Sequence, residues 1–390
     1  MVDQTGSPTG APASLVEGDC DPRFTAVHDA FAAGFADGLE VGASLAIEVD
    51  GNRVVDLWGG HADAARTEPW ARDTIACVFS CTKGLAAIAL LHLVDAGSVG
   101  LDDFVASVWP EFAAAGKETI PVRWLLTHEA GLSAIDRPMP FGSLSDWDAM
   151  IDALAAQAPS WEPGAGHGYH GVTFGHLVGE VVRRVDGRAV GTYLRDEITD
   201  PLGAACFLGL PEREDARTAE MSIELDPAAR TFFSHWGADD LGPKSFGNPP
   251  DCNVIEHTNS RAFRAAEIPS ANAHADARAL ARVYGALGTG DILSPALVAE
   301  AGRTHVEGDD LVMGLPTRFG LGFEITMPEA DFSFGAGART FGHNGSGGSL
   351  GFLDPDTGVS FGYVMNRMEW RDRRDDRRWF PILDALYAAL

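Results

Sequence analysis

Apolar residues recur at helical spacing through residues 21–38, and the pattern stops at Gly38, a residue suited to a helix C-cap. Two β-rich runs follow, residues 41–49 and 53–58, separated by Asp50-Gly51-Asn52. An Asp-Gly between such runs predicts a tight hairpin. The C-terminal part is β-rich again over residues 320–325, 332–334, 348–353 and 359–365. The last two runs are joined by Asp354-Pro355-Asp356-Thr357-Gly358, a turn-rich link. A final helix is predicted over residues 379–390.

Between these ends helical spacing dominates, over residues 83–96, 122–127, 145–157, 173–185, 190–198, 273–288 and 294–301. Strands at both ends with helices between predict an α+β chain, within the broad α/β class. One antiparallel sheet is assembled from both termini and flanked by helices. The expected division is a flexible tail over 1–20, a discontinuous sheet domain from 21–75 and 302–390, and a mainly helical domain over 76–301. The active site is expected between the two. Residues 211–270 lack clear periodicity and contain Phe246-Gly247-Asn248-Pro249-Pro250-Asp251. A loop that long in a compact protein is usually functional or mobile.

Composition limits the partners. At 390 residues and 45% apolar, the chain can bury a substantial core in more than one domain-sized unit. It contains no run of about 18 apolar residues, so no membrane span is expected. The N-terminus has neither the basic head nor the apolar run of a signal peptide. Five scattered cysteines (Cys20, Cys77, Cys81, Cys206, Cys252) fit reduced thiols in a cytoplasm. A net charge of −27 disfavours nucleic acid and anionic membranes, because phosphate binding needs a basic surface. The acidity is read as serving solubility. No feature discloses the oligomeric state.

Against this acidic background lysine occurs only three times, as Lys83, Lys117 and Lys244. The first completes Ser80-Cys81-Thr82-Lys83, which opens the apolar stretch 84–97. A Ser and a Lys three apart at a helix start lie on one face, one turn apart. An amine then sits beside a hydroxyl that is otherwise a poor nucleophile. Such a nucleophile also needs a proton relay, an oxyanion hole and a wall that orients substrate. The helix start supplies part of the hole, since its backbone N–H is unpaired at the positive end of the macrodipole. Residues 161–171 form a Gly-rich loop with one tyrosine, Tyr169, and residues 342–348 form a second Gly-rich segment approaching a strand. There, backbone N–H groups can approach a substrate without a side chain in the way.

With these segments the chain resembles the serine β-lactamase and penicillin-binding protein superfamily, and within it the class C β-lactamase-like (family VIII) carboxylesterases. Ser80-Cys81-Thr82-Lys83 matches Ser-x-x-Lys. Leu125-Leu126-Thr127-His128-Glu129-Ala130-Gly131-Leu132 is similar to the family's Leu-Leu-Thr-His-x-x-Gly-Leu. Tyr169-His170-Gly171 stands where the family carries Tyr-x-Asn, and His343-Asn344-Gly345 where it carries Lys-Thr-Gly or His-x-Gly. Order and spacing agree over roughly residues 40–370. The resemblance implies a β-lactamase-like fold and a catalytic set of Ser80, Lys83 and Tyr169. Lys83 acts either as a desolvated base, against a free pKa near ~10.4, or as a cation that lowers the pKa of Tyr169. The preferred reading is a coupled Tyr169–Lys83 pair. The oxyanion is expected between the N–H groups of Ser80 and Ser346.

Two departures bear on substrate. Gly171 removes an amide side chain that helps hold an amide substrate, and His343 removes a permanent cation. A neutral His offers only a hydrogen bond. Both changes point to small, uncharged esters. The expected substrate edge is His343, Asn344, Gly345 and Gly347, with Trp161, Phe141, Trp236 and Phe341 as candidate pocket walls. Alternatives within the fold are a β-lactamase, a D-amino-acid peptidase or amidase, and an acyltransferase. A non-catalytic binding or assembly protein is the alternative from another class.

Other features are read as structural. Gly347-Gly348-Ser349-Leu350-Gly351 matches the Gly-x-Ser-x-Gly nucleophile elbow, but a turn between strands follows instead of a helix, and no histidine comes later than His343. His167, His170 and His176 lie close together without a flanking Cys pair or a His-Glu-x-x-His, so they read as a surface-loop cluster and no metal or cofactor is expected. Cys81 reads as a small packed residue, His128 as a buried turn residue, and residues 371–378 as a solvated, ion-paired run.

Overall fold

The computed structural model describes residues 16–223, 236–237, 239–253, 255–330, 333–369 and 377–390. Nine antiparallel strands form the main sheet: β1 (Val16–Cys20), β2 (Gly42–Val49), β3 (Asn52–Gly60), β4 (Val306–Asp309), β5 (Pro316–Phe319), β6 (Glu324–Ile325), β7 (Phe341–Asn344), β8 (Leu350–Asp354) and β9 (Val359–Met365). Their order is β1-β3-β2-β9-β8-β7-β6-β5-β4, so chain start and chain end meet at the β2–β9 pair in mid-sheet. The predicted sheet from both termini is therefore what forms. Asp50 and Gly51 take φ of 50° and 74°, and Val49 pairs with Asn52. This two-residue turn with positive φ at both positions matches the twist of the strands it joins.

Six longer helices are α1 (Thr25–Ala36), α2 (Cys81–Asp95), α3 (Trp147–Ala156), α4 (Phe174–Asp186), α5 (Ala277–Thr289) and α6 (Trp379–Ala389). Successive strand residues face opposite sides of a sheet. On β9, a Cβ at Gly362 would run into the Ala277 carbonyl of α5, whereas the next residue, Tyr363, meets the ring of Phe31 on α1. Hence α5 covers one face, and α1 with its neighbour α6 covers the other. Helix α2 is apolar on all sides because it is buried on nearly all sides, against α4 and β7 among others.

Several predicted elements shift. Val16–Cys20, placed in the tail by sequence, is an edge strand paired with β3, while residues 1–15 lie outside the described residues. Of the strand expected over 332–334, residue 332 lies outside the described residues and 333–334 are not in a strand; the strand comes later, at Phe341–Asn344. The run 320–325 contributes only Glu324–Ile325, and β4 and β5 were not visible in the pattern. The stretch 211–270 holds short helices, including Leu241–Gly247 and Arg261–Ala265. Most of the 371–378 run lies outside the described residues.

Candidate active site

Ser80 is held by what precedes it. Ala76–Cys77 pairs with His274–Ala275 in a small three-stranded sheet, and Val78 N–H extends that ladder to Ala273 O at 2.9 Å. Phe79 then adopts φ 44°, left-handed and costly for an aromatic residue, and the chain turns into α2 with Ser80 as its N-cap. Thr82 secures the turn: its hydroxyl donates to Phe79 O at 2.5 Å and accepts from Ala273 N–H at 2.9 Å.

Lys83 is fully buried. Its Nζ donates to Ser80 Oγ at 3.2 Å, Gly171 O at 2.8 Å and Ser270 O at 2.9 Å. It also lies 4.7 Å from the centre of the Tyr169 ring. The expected relay residues are thus brought together around one ammonium. Lys117 is built alike but holds only carbonyls, those of Ala114, Ala155 and Gln157. A buried lysine with no hydroxyl at hand is a clamp.

Tyr169 is positioned by residues that sequence reasoning did not single out. Its backbone N–H lies 3.0 Å from both carboxylate oxygens of Asp310, which also accepts from Val312 N–H and Met313 N–H at 2.8 Å. Asp310 is buried, and burial pushes its carboxyl up against the lowering pull of these N–H donors. The Tyr169 ring stacks on Phe319 (6.0 Å, 8°) and on Phe246 (6.3 Å, 28°). His343 stands 6.1 Å away, ring to ring. Asp310 follows no readable motif; Phe246 lies in the aperiodic stretch 211–270, the one signal that pointed to it.

The histidines expected in a surface cluster are buried instead. His170 Nδ1–H donates to Gly168 O at 2.7 Å and its Nε2 accepts from Leu132 N–H at 3.0 Å, a pair of partners that fixes the tautomer. His128, at φ 63°, accepts from His170 N–H and packs on Tyr169. It is the buried turn residue expected. Burial pushes His170 and His176 down to about 4 and His274 to about 3. A histidine depressed when folded takes up its proton on unfolding, so its stability contribution is present above its ordinary pKa and lost as pH falls towards the folded value. The melting temperature is expected to fall steadily from pH ~6.5 to ~4. His176→Phe should make that slope shallower in differential scanning calorimetry.

The second Gly-rich segment lies against the residues that flank Ser80. Ser349, the serine of the Gly-x-Ser-x-Gly match, is fully buried and donates to Val78 O at 2.7 Å. Cys81 Sγ donates to His343 O at 3.0 Å, and burial pushes its thiol up to about 12, which makes it a packed residue. A Cβ on Gly345 would collide with Val78 O and Ser349 Oγ, so only glycine lets the two backbones meet. Gly345 N–H donates to Ser349 O and Gly348 N–H to Gly345 O, closing a turn with Ser346 and Gly347 in its middle. Among the described residues, neither Ser80 N–H nor Ser346 N–H makes a backbone hydrogen bond. Asn344 turns its side chain onto buried Glu324.

The pocket walls divide. Trp236 stacks on Phe246 at 5.5 Å, and Trp161 donates to Gly166 O while its ring edge meets His170, bracing the Tyr169 loop. Phe141 is exposed against His257. Phe341 is not brought to the group. It packs on Phe323 in the core and lines a separate cavity of about 590 Å³ with Leu287, Val298 and Leu353.

A family model described as Beta-lactamase matches residues 27–383. The chain belongs to that family. The Esterase/beta-lactamase LipL of Mycobacterium tuberculosis is 37% identical over 369 residues, covering 90% of this chain and 83% of that protein. Among solved structures, a family VIII carboxylesterase superposes with a TM-score of 0.87 at 40% identity, covering 96% of this chain and 100% of its own. A penicillin-binding protein homologue from Caulobacter crescentus matches with the same identity, coverage and TM-score.

Within the β-lactamase family the two departures now have local causes and consequences. At Gly171 a Cβ would come within 2.5 Å of Phe246 Cζ, so the direction in which an asparagine side chain would project is occupied by an aromatic ring. At His343, Nδ1–H donates to Asn344 O at 2.7 Å, and the buried ring takes the place of a long cationic arm.

Proposed function

We propose that the protein hydrolyses short-chain, uncharged carboxylic esters through an acyl-enzyme on Ser80, without a cofactor. Tyr169, beside the Lys83 ammonium, takes the Ser80 proton as Oγ attacks the ester carbonyl. The oxyanion forms between Ser80 N–H and Ser346 N–H. Collapse breaks the C–O bond, and the alcohol leaves with the proton returned by the Tyr169–Lys83 pair. A water activated by the same pair then frees the acid and restores Ser80.

The observation that carries this reading is the contact of Lys83 with both Ser80 Oγ and the face of Tyr169. Lys83 Nζ donates to Ser80 Oγ and to the Gly171 and Ser270 carbonyls, as an ammonium does, and the base role is given to Tyr169. A serine ester hydrolase also agrees with relatives named as esterases, LipL and the family VIII carboxylesterase. The five unpaired cysteines suit the reducing cytoplasm proposed as its location. No helix among the described residues is long and apolar enough to cross a membrane. The domain division, with the site between a helical insertion over 76–301 and the sheet, is part of the same proposal, amended by placing α5 with the sheet it covers.

A secondary β-lactam turnover is the second reading, favoured by LipL being named for both activities. The two are separated by comparing p-nitrophenyl butyrate with nitrocefin. The ester is expected to win in kcat/KM by at least about 100-fold, roughly 2.7 kcal/mol of transition-state discrimination. Nitrocefin as the better substrate would overturn the ester assignment.

A further inference from the structure

Arg378 precedes α6 and is buried although permanently charged. Its Nη2 donates to Gly347 O at 2.7 Å and Nη1 to Arg367 O at 3.2 Å. Nε lies 3.8 Å from Glu40 Oε1, a carboxylate that also accepts from the Tyr363 hydroxyl. The next residue, Trp379, donates from its indole Nε1 to Gly348 O at 2.7 Å. Two consecutive carbonyls of the 345–348 turn are thus taken by side chains from the far end of the chain. Gly348 sits at φ 130°, and any Cβ there would fall inside the Arg378 guanidinium.

Burying an arginine is expensive unless it is paired and its donors are used. A turn needing only to reverse the chain would not require that. This turn, however, carries the Ser346 N–H, and a backbone donor has no side chain of its own to set its direction. Ser346 N–H shares its peptide plane with Gly345 O, which accepts from Gly348 N–H at 3.0 Å, and Gly348 N–H shares its plane with the Gly347 O that Arg378 holds. The worth of an oxyanion donor depends on its being fixed before charge develops. We propose that Arg378, supported by Glu40 and seconded by Trp379, is a positioning residue that holds the Ser346 N–H in the oxyanion hole. The proposal rests on the oxyanion role given to Ser346 above.

The test uses the full chain with p-nitrophenyl butyrate. Arg378→Ala is expected to lower kcat about 10–100-fold, part of what loss of an oxyanion donor costs, with KM changed by less than about threefold. Guanidinium chloride at about 20 mM should restore kcat at least about fivefold in this variant, without effect on the native protein, because it refills a site shaped for that ion. Arg378→Lys should stay impaired, since one ammonium cannot span the same acceptors. Trp379→Phe, which keeps the ring and loses one donor, should lower kcat about threefold to tenfold and decides the matter if Arg378→Ala does not fold. The proposal is overturned if both variants keep native kcat, or if activity falls only in step with melting temperature and guanidinium rescues nothing. Ser80→Ala retaining ester turnover would instead remove the reading beneath it, a result the Arg378 variants cannot produce.

Discussion

Lys83→Met should lower kcat by about 10³-fold or more, while Lys117→Met leaves kcat within about twofold and lowers stability by about 1–3 kcal/mol. Both lysines are buried and both present three acceptors to Nζ, so burial and packing are matched between them. They differ in one hydroxyl and one ring: Lys83 Nζ meets Ser80 Oγ and lies by the Tyr169 ring, whereas Lys117 Nζ meets another carbonyl and lies by Phe112. Methionine keeps most of the volume and removes the charge. At position 83, on the proposed mechanism, this takes away the cation that stabilises a deprotonated Tyr169 and the partner that orients Ser80. At position 117 it leaves carbonyls short of a donor, which chemical denaturation reads directly. Equal kinetic loss in both variants would mean that buried lysines act here only through the fold.

The second large effect is expected at Gly171. Asparagine there must displace the Phe246 ring, which supports Tyr169 from one side. Overpacking of this kind costs about 1–3 kcal/mol. Because the clash drives the Phe246 ring against Tyr169, the proposed base, kcat/KM for p-nitrophenyl butyrate should fall about 10–100-fold. Combining Gly171→Asn with Phe246→Ala should recover at least about tenfold of that loss, since the clash is removed, and should raise nitrocefin turnover above the native level. The double-mutant cycle measures the coupling. An additive pair would show that Phe246 does not occupy the place of an asparagine side chain.

These two sites illustrate what could be read without coordinates. The helix that pairs Ser80 with Lys83 was legible because the two are local: three residues apart at a helix start they share a face, whatever the rest of the chain does. The hairpin at Asp50-Gly51 was legible for the same reason. Strand β7 falls in the Gly-rich segment read as approaching a strand: Phe341-Gly342-His343-Asn344 has little β-branched character, and its strand state comes from pairing with β6 and β8. Edge strand β1 was hidden among residues read as tail. The histidines around Tyr169 looked like a polar loop because sequence shows polarity and not burial. Asp310 follows no local pattern, and Phe246 was marked only by the aperiodic stretch that contains it. Each acts through a contact with Tyr169 across a long stretch of chain, and no local pattern encodes such a contact.

The central claim is that Ser80 becomes acylated. Rapid-quench intact-mass measurement with p-nitrophenyl butyrate, followed by peptide mapping, tests it most directly in the native chain and in Ser80→Ala and Ser349→Ala. The account predicts one butyryl group on the peptide carrying Ser80, its loss in Ser80→Ala, and its persistence in Ser349→Ala. A butyryl group on Ser349, or ester turnover that survives Ser80→Ala, would contradict it.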